Sequence, residues 1–173
     1  MNVILIGYRG SGKTTLGRKL ADQLWKTFVD VDDGIRARFA NKTITRIWNE
    51  DGERAYRDTE VAVTRELCRR DDQVIGLGGG TLMESGAREA VEQADAVRIY
   101  LKCDPEELNR RIDLDGQSAA SRPSLTGLGG GIDEIVVMLE KREPVYEAVA
   151  DKIFDVTHVG PDDALRYLIK NCL

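Results

Sequence analysis

The amino-acid sequence predicts a three-layer α/β/α fold around a five-stranded parallel sheet. Three observations carry that expectation. Five short apolar runs recur along the chain, and several are apolar on both faces, as strands covered by helices are. Segments of helical period separate them, which favours parallel crossovers over hairpins. The first run also passes through a glycine-rich turn directly into a helical stretch.

The elements follow in order. Asn2 to Ile6, Thr27 to Val31, Gln73 to Leu77, Val97 to Leu101 and Lys152 to Val156 read as strands. Leu16, Leu20 and Leu24, four apart, form one apolar stripe on a helix opened by Lys13 and Thr14. A helix through Ile35 and Phe39 follows the second strand. Asp104-Pro105-Glu106-Glu107 is a helix start, with an Asp cap, proline at the first position and acids near the positive dipole end. Gly160-Pro161-Asp162-Asp163 opens the last helix similarly, with Leu165, Leu168, Ile169 and Cys172 along one side. Pro144 is expected to break or kink its helix.

Composition narrows the function classes. The 173 residues are 42% hydrophobic and 32% charged, which excludes a disordered or membrane-embedded chain and suits one domain spanning 1–173. Apolar runs such as Val3 to Ile6 are too short to cross a bilayer, and no secretory signal opens the sequence, so a cytoplasmic protein is expected. Twenty-five basic against 30 acidic residues give a net charge of −5. That argues against a general nucleic-acid binder but allows a local basic site for a small anion. Cys68, Cys103 and Cys172 form no CxxC pair and read as reduced thiols. The lone histidine, His158, makes a multi-histidine zinc site impossible and is expected on a loop or the surface.

GLGGG occurs twice, at 76–80 and 127–131. The first copy closes a strand and belongs at the sheet's carboxyl edge, where ligands bind in open α/β sheets. The second ends a Gly-, Ser- and Ala-rich stretch from Asp113 to Gly131, expected to be a mobile lid with these glycines as a hinge.

Gly7-Tyr8-Arg9-Gly10-Ser11-Gly12-Lys13-Thr14 satisfies GxxxxGK[ST] between a strand and a helix. Glycines let successive N–H groups point at phosphate oxygens, aided by the helix N-terminus. Lys13 would then reach the β- and γ-phosphates, and the Thr14 hydroxyl would ligate Mg²⁺. Asp30 and Asp32 flank Val31, so on an extended segment both side chains leave one face and can hold a Mg²⁺ water shell and orient a substrate hydroxyl. Asp32 or Asp33 capping the following helix is the competing explanation for one of these acids. Arg57, Arg142, Arg122 and the Arg110-Arg111 pair on a helix before the lid form a third, cationic set. Arg122, beside Pro123 in the lid stretch, would stabilise a transferring phosphoryl group on closure.

Taken together, GYRGSGKT, DVD at 30–32, GERAYRDTE at 52–60, GLGGG at 76–80, RP at 122–123 and KREPVY at 141–146 resemble the shikimate kinase family along the whole chain. The resemblance implies a P-loop kinase fold and ATP-dependent phosphorylation of the 3-hydroxyl of shikimate, in chorismate and aromatic amino-acid biosynthesis. It implies Mg²⁺ with ATP as co-substrate, and a monomer that needs neither nucleic acid nor membrane. Asp32 would be the general base and hold shikimate hydroxyls, with Asp30 on the Mg²⁺ side beside Thr14. Arg57 and Arg142 would pair with the substrate carboxylate, which suits a guanidinium fork. Gly78, Gly79 and Gly80 would let backbone approach the substrate ring. Gly10, Ser11, Gly12, Lys13, Thr14 and Thr15 would bind the ATP phosphates, with Arg122 descending on them. Arg111, or its neighbour Arg110, would stack on adenine near Pro161. Trp48 and Tyr56 stand where the family often has phenylalanines. Trp48 reads equally as core or pocket wall, and Tyr56 adds a hydroxyl that needs a partner if buried.

Overall fold

The computed structural model of the chain describes residues 1–116 and 128–173. Arg122 and the centre of the expected lid therefore lie outside the described residues. Five strands form one parallel sheet in the order β2-β3-β1-β4-β5: β1 Asn2–Ile6, β2 Thr27–Asp30, β3 Gln73–Gly76, β4 Ala96–Lys102 and β5 Lys152–Asp155. The central β1 is buried at every residue, whereas the edge strands β2 and β5 are partly exposed. The chain leaves β1 for β2, two places away, and β4 lies on β1's other flank. The carboxyl end of β1 is thus the point where connections diverge, and a crevice opens there.

Helices α1 Lys13–Leu24, α2 Val31–Arg38, the single turn α3 Ile44–Arg46 and α4 Glu53–Cys68 belong to the first half, with a π-type turn at Ile47–Asp51. A 3₁₀ turn at Thr81–Met83, α5 Ser85–Gln93, α6 Pro105–Leu114, α7 Ile132–Val149 and α8 Pro161–Asn171 complete the described elements. Gly17 sits inside α1, where glycine costs helix stability, because the Phe28 ring of β2 packs against its backbone. A Cβ there would lie 2.3 Å from Phe28 Cε2.

The structure corrects four local expectations. β2 ends at Asp30, so Asp32 lies in the first turn of α2 and not on an extended segment. Asp104 occupies the cap position of α6 without a side-chain cap bond; its backbone N–H donates to Thr157 Oγ1 at 3.1 Å. Pro144 does not end its helix: α7 continues to Val149, anchored by the buried Leu139, Arg142, Tyr146 and Val149 on either side. On α8 Ala164, Leu168 and Cys172 are buried and Leu165 packs against the core half-buried, while Ile169 is exposed. The cysteines are free, as expected, with Cys103 and Cys172 buried.

Candidate active site

The first strand delivers the chain into a tight curl. Gly10 (φ 84°) and Gly12 (φ 96°) adopt left-handed backbone that a side chain would strain. The N–H of Ser11 donates to the Tyr8 carbonyl at 3.2 Å. Lys13 folds back over the loop, its Nζ donating to the carbonyls of Gly7 and Tyr8 at 2.8 Å each. Gly12 precedes α1 and supplies no side-chain cap, so the first N–H groups of that helix face the crevice, as a phosphate site requires. The buried Ser11 hydroxyl has no hydrogen-bond partner among the described residues.

Asp30 joins the second strand to this loop. One carboxylate oxygen accepts the Asp32 N–H at 2.9 Å, and the other accepts the Thr14 hydroxyl at 3.3 Å. The cap of α2 is therefore Asp30, not Asp32 or Asp33. Burial, reinforced by the neighbouring Asp32 charge, pushes the Asp30 carboxyl up to about 6, against the opposing pull of the Asp32 N–H and Lys13. A carboxylate this uncomfortable beside a threonine hydroxyl suits a divalent cation, so the residues present fit Mg²⁺.

Two spaces meet at Asp32. A cleft of about 730 Å³ runs from the phosphate loop, Thr14 and Thr15 included, past Arg110 and Arg111 to Pro161 at the start of α8. A smaller cavity of about 60 Å³ lies beside it, lined by Trp48, Tyr56, Arg57, Gly79, Gly80 and Arg142 among others. Asp32 and Arg9 border both.

In the cleft, Arg111 is fastened to the wall. Its Nε donates to Glu107 at 2.7 Å, and its Nη2 donates to the Val156 carbonyl at 2.7 Å. Arg110 grips Glu107 with two bonds of 2.7 Å and projects further into solvent. Hydrogen bonds from Arg110 and Arg111 hold the Glu107 carboxyl down at about 2. His158 is exposed on the loop before α8, at the cleft's border.

The small cavity carries two unlike arginines. Arg57 donates to Glu60 Oε2 at 2.6 Å and lies over the rings of Trp48 (5.4 Å) and Tyr56 (5.1 Å). Trp48 is thus both core packing and cavity wall. Glu60 is fully buried, and its other oxygen accepts the Thr81 hydroxyl at 2.6 Å. Arg142 is 5% exposed, lies over the Tyr8 ring at 5.7 Å, and forms no ion pair with any described residue. The glycines of β3's terminal loop are crowded by these groups. A Cβ on Gly78 would lie 3.0 Å from Glu60 Oε1 and 3.2 Å from Asp32 Oδ1, one on Gly79 3.2 Å from Arg142 Nη1, and one on Gly80 2.8 Å from Arg57 Nη1.

The sequence reasoning singled out neither Arg9 nor Glu60. Arg9 occupies a freely variable place in the loop pattern, where its type carries no signal. Glu60 follows Arg57 by one helical turn, a spacing that signals pairing once both are placed on a helix.

The family model for shikimate kinase matches residues 9–173. A shikimate kinase of Rhodopirellula baltica is 37% identical over 169 residues, covering 98% of this chain and 89% of its own length. The chain belongs to the shikimate kinase family. Its fold agrees with solved members: a shikimate kinase from Acinetobacter baumannii in complex with shikimate superposes with a TM-score of 0.88 at 30% identity, covering 98% of this chain and 90% of that one. The shikimate kinase from Bacteroides thetaiotaomicron gives 0.84 at 31% identity, with 98% and 97% covered. Within this shikimate kinase fold, β1, β2 and β3 bring the loop, the acid pair and the glycines to one edge, and α4 and α7 bring Arg57 and Arg142 to face them.

Proposed function

We propose that this chain transfers the γ-phosphoryl group of ATP to the 3-hydroxyl of shikimate, giving 3-phosphoshikimate for aromatic amino-acid biosynthesis. The observation that carries the reading is Arg142. A guanidinium buried without a counter-ion among the described residues is costly, and it favours a ligand that brings a carboxylate. Arg57 shares the cavity, so the acid of the substrate takes one end and Asp32 the other.

Asp32, on the border of both spaces, accepts the hydrogen bond of the reacting hydroxyl and takes its proton late in transfer. Lys13 exchanges its two loop carbonyls for β- and γ-phosphate oxygens, alongside the N–H groups of Gly10 to Thr15. Thr14 and Asp30 would hold Mg²⁺, which neutralises phosphate charge when bound. Arg111, with Pro161 across the cleft, takes the adenine, because its anchoring to Glu107 and Val156 keeps the guanidinium plane against the wall. Arg122 belongs to this set on its sequence position alone. We read the chain, 1–173, as one unit that acts as a monomer. Among the described residues no helix is long and apolar enough to cross a membrane.

The test is ADP release from MgATP with and without shikimate. Release that requires shikimate and disappears in Lys13→Ala is expected. Release that requires gluconate or a nucleoside monophosphate instead would overturn the substrate assignment.

A further inference from the structure

One buried hydroxyl near the small cavity has no part in the chemistry above. Tyr146 lies on α7 one turn after Arg142, on the same face. Its ring is buried and packs against Tyr100 at 5.2 Å, tilted by 55°. Its hydroxyl donates to the carbonyl of Gly79. A Cβ on Gly79 would lie 3.2 Å from Arg142 Nη1 and 3.8 Å from Tyr146 Oη, so both side chains converge on that one residue.

Pinning the Gly79 carbonyl has a geometric consequence. The C=O and N–H of a trans peptide point in opposite directions, so the Gly80 N–H is turned away from Tyr146. Among the described residues no acceptor takes that N–H, although Gly80 is buried and lines the small cavity. An unsatisfied buried donor beside Arg57 and Arg142 calls for a ligand acceptor.

We propose that Tyr146 is a positioning residue for acid recognition: by holding the Gly79 carbonyl it fixes the Gly79–Gly80 peptide against Arg142, so that peptide and guanidinium meet one carboxylate together. The inference rests on the reading of Arg142 as a carboxylate partner. Tyr146 touches no substrate; it acts through Gly79 and Arg142. The phenol is well fitted to this purpose, because burial pushes it up to about 12, despite the opposing Arg142 charge, and it stays a donor at every working pH.

The experiment compares wild type, Tyr146→Phe and Arg142→Ala, using shikimate and an analogue whose carboxylate is replaced by hydroxymethyl. Phenylalanine keeps the ring contact with Tyr100 and removes only the donor. Loss of one ordering hydrogen bond is expected to raise KM for shikimate about tenfold in Tyr146→Phe, with kcat and KM for ATP unchanged. Affinity for the hydroxymethyl analogue should stay at the wild-type value. Equal weakening of shikimate, analogue and ATP would mean that Tyr146 only supports the fold, and would overturn the proposal; so would an unchanged KM for shikimate. If Arg142→Ala discriminates acid from analogue as well as wild type does, the underlying reading fails, whatever Tyr146→Phe does. Should Tyr146→Phe not fold, the Gly80 amide proton of the wild type decides by NMR. It should shift downfield with shikimate and not with the analogue, and an equal response to both would overturn the proposal.

Discussion

Asp30 caps the helix that carries Asp32: its Oδ1 accepts the Asp32 N–H at 2.9 Å, so the acid facing Thr14 also sets the position of the acid between the two spaces. The pair is brought together by a strand that stops and a helix that starts, and one carboxylate orients the other.

The first prediction follows from the raised Asp30 carboxyl. A proton held up to about 6, against an ordinary 3.8, must leave before the group can face a cation, so MgATP affinity should rise as pH increases through 6. The stability linkage has the opposite sense. The folded state binds this proton more tightly than the unfolded chain, so nucleotide-free protein gains stability as pH falls through 6 toward 4. Asparagine keeps a helix cap but cannot titrate. Thermal unfolding of Asp30→Asn between pH 4.5 and 7.5 should therefore show a smaller gain on acidification than wild type, the remainder coming from the buried Glu60, whose carboxyl burial also raises.

Asp32→Asn should lower kcat by roughly 10²- to 10⁴-fold, the usual worth of a positioned base, with the fold intact by circular dichroism. Wild-type kcat in the purified variant would remove Asp32 from the base role.

Arg142→Met separates stability from function. Removing a buried guanidinium that has no carboxylate partner among the described residues should raise the melting temperature of the ligand-free protein by a few degrees. Losing a charge-assisted contact should raise KM for shikimate by roughly 10- to 100-fold. Calorimetry and steady-state kinetics on one preparation check both, and an effect confined to ATP would refute the assignment.

Glu60→Gln removes the nearer counter-charge of Arg57, leaving Glu84 at 4.0 Å, while keeping a partner for the Thr81 hydroxyl. A loss of about 1–3 kcal/mol in denaturant unfolding is expected, with a higher KM for shikimate as Arg57 loses its fixed orientation. An unchanged unfolding midpoint would show that the ion pair contributes nothing net.

Much of this was legible in the sequence because local chemistry dictates it. The turn from Gly7 to Thr14 needs glycine where the backbone goes left-handed, and the apolar run before it can only be a buried strand. The acids at 30 and 32 were found by their spacing, but alternation on an extended segment was the wrong reason: the strand ends at Asp30, whose own side chain starts the helix. Pro144 does not break its helix, the stronger of the two outcomes its type suggests. Its missing N–H weakens one turn, but burial of Arg142 and Tyr146 on both sides of it keeps α7 continuous. The second bond of Glu60 and the bond of Tyr146 were out of reach for a simpler reason. Their hydroxyl and carbonyl partners, Thr81 and Gly79, lie 21 and 67 residues away, and only the folded chain brings them together.

The common wall formed by Asp32 and Arg9 has a practical consequence for ligand chemistry. Cleft and cavity share Asp32 and Arg9 on their border, so a ligand in one lies directly beside a ligand in the other. A compound that joins a nucleotide-like half to an acid-bearing half would have to thread its tether past Asp32. Tethers offering a donor at that place would keep the carboxylate satisfied, whereas a bare hydrocarbon bridge would strip it of its partner.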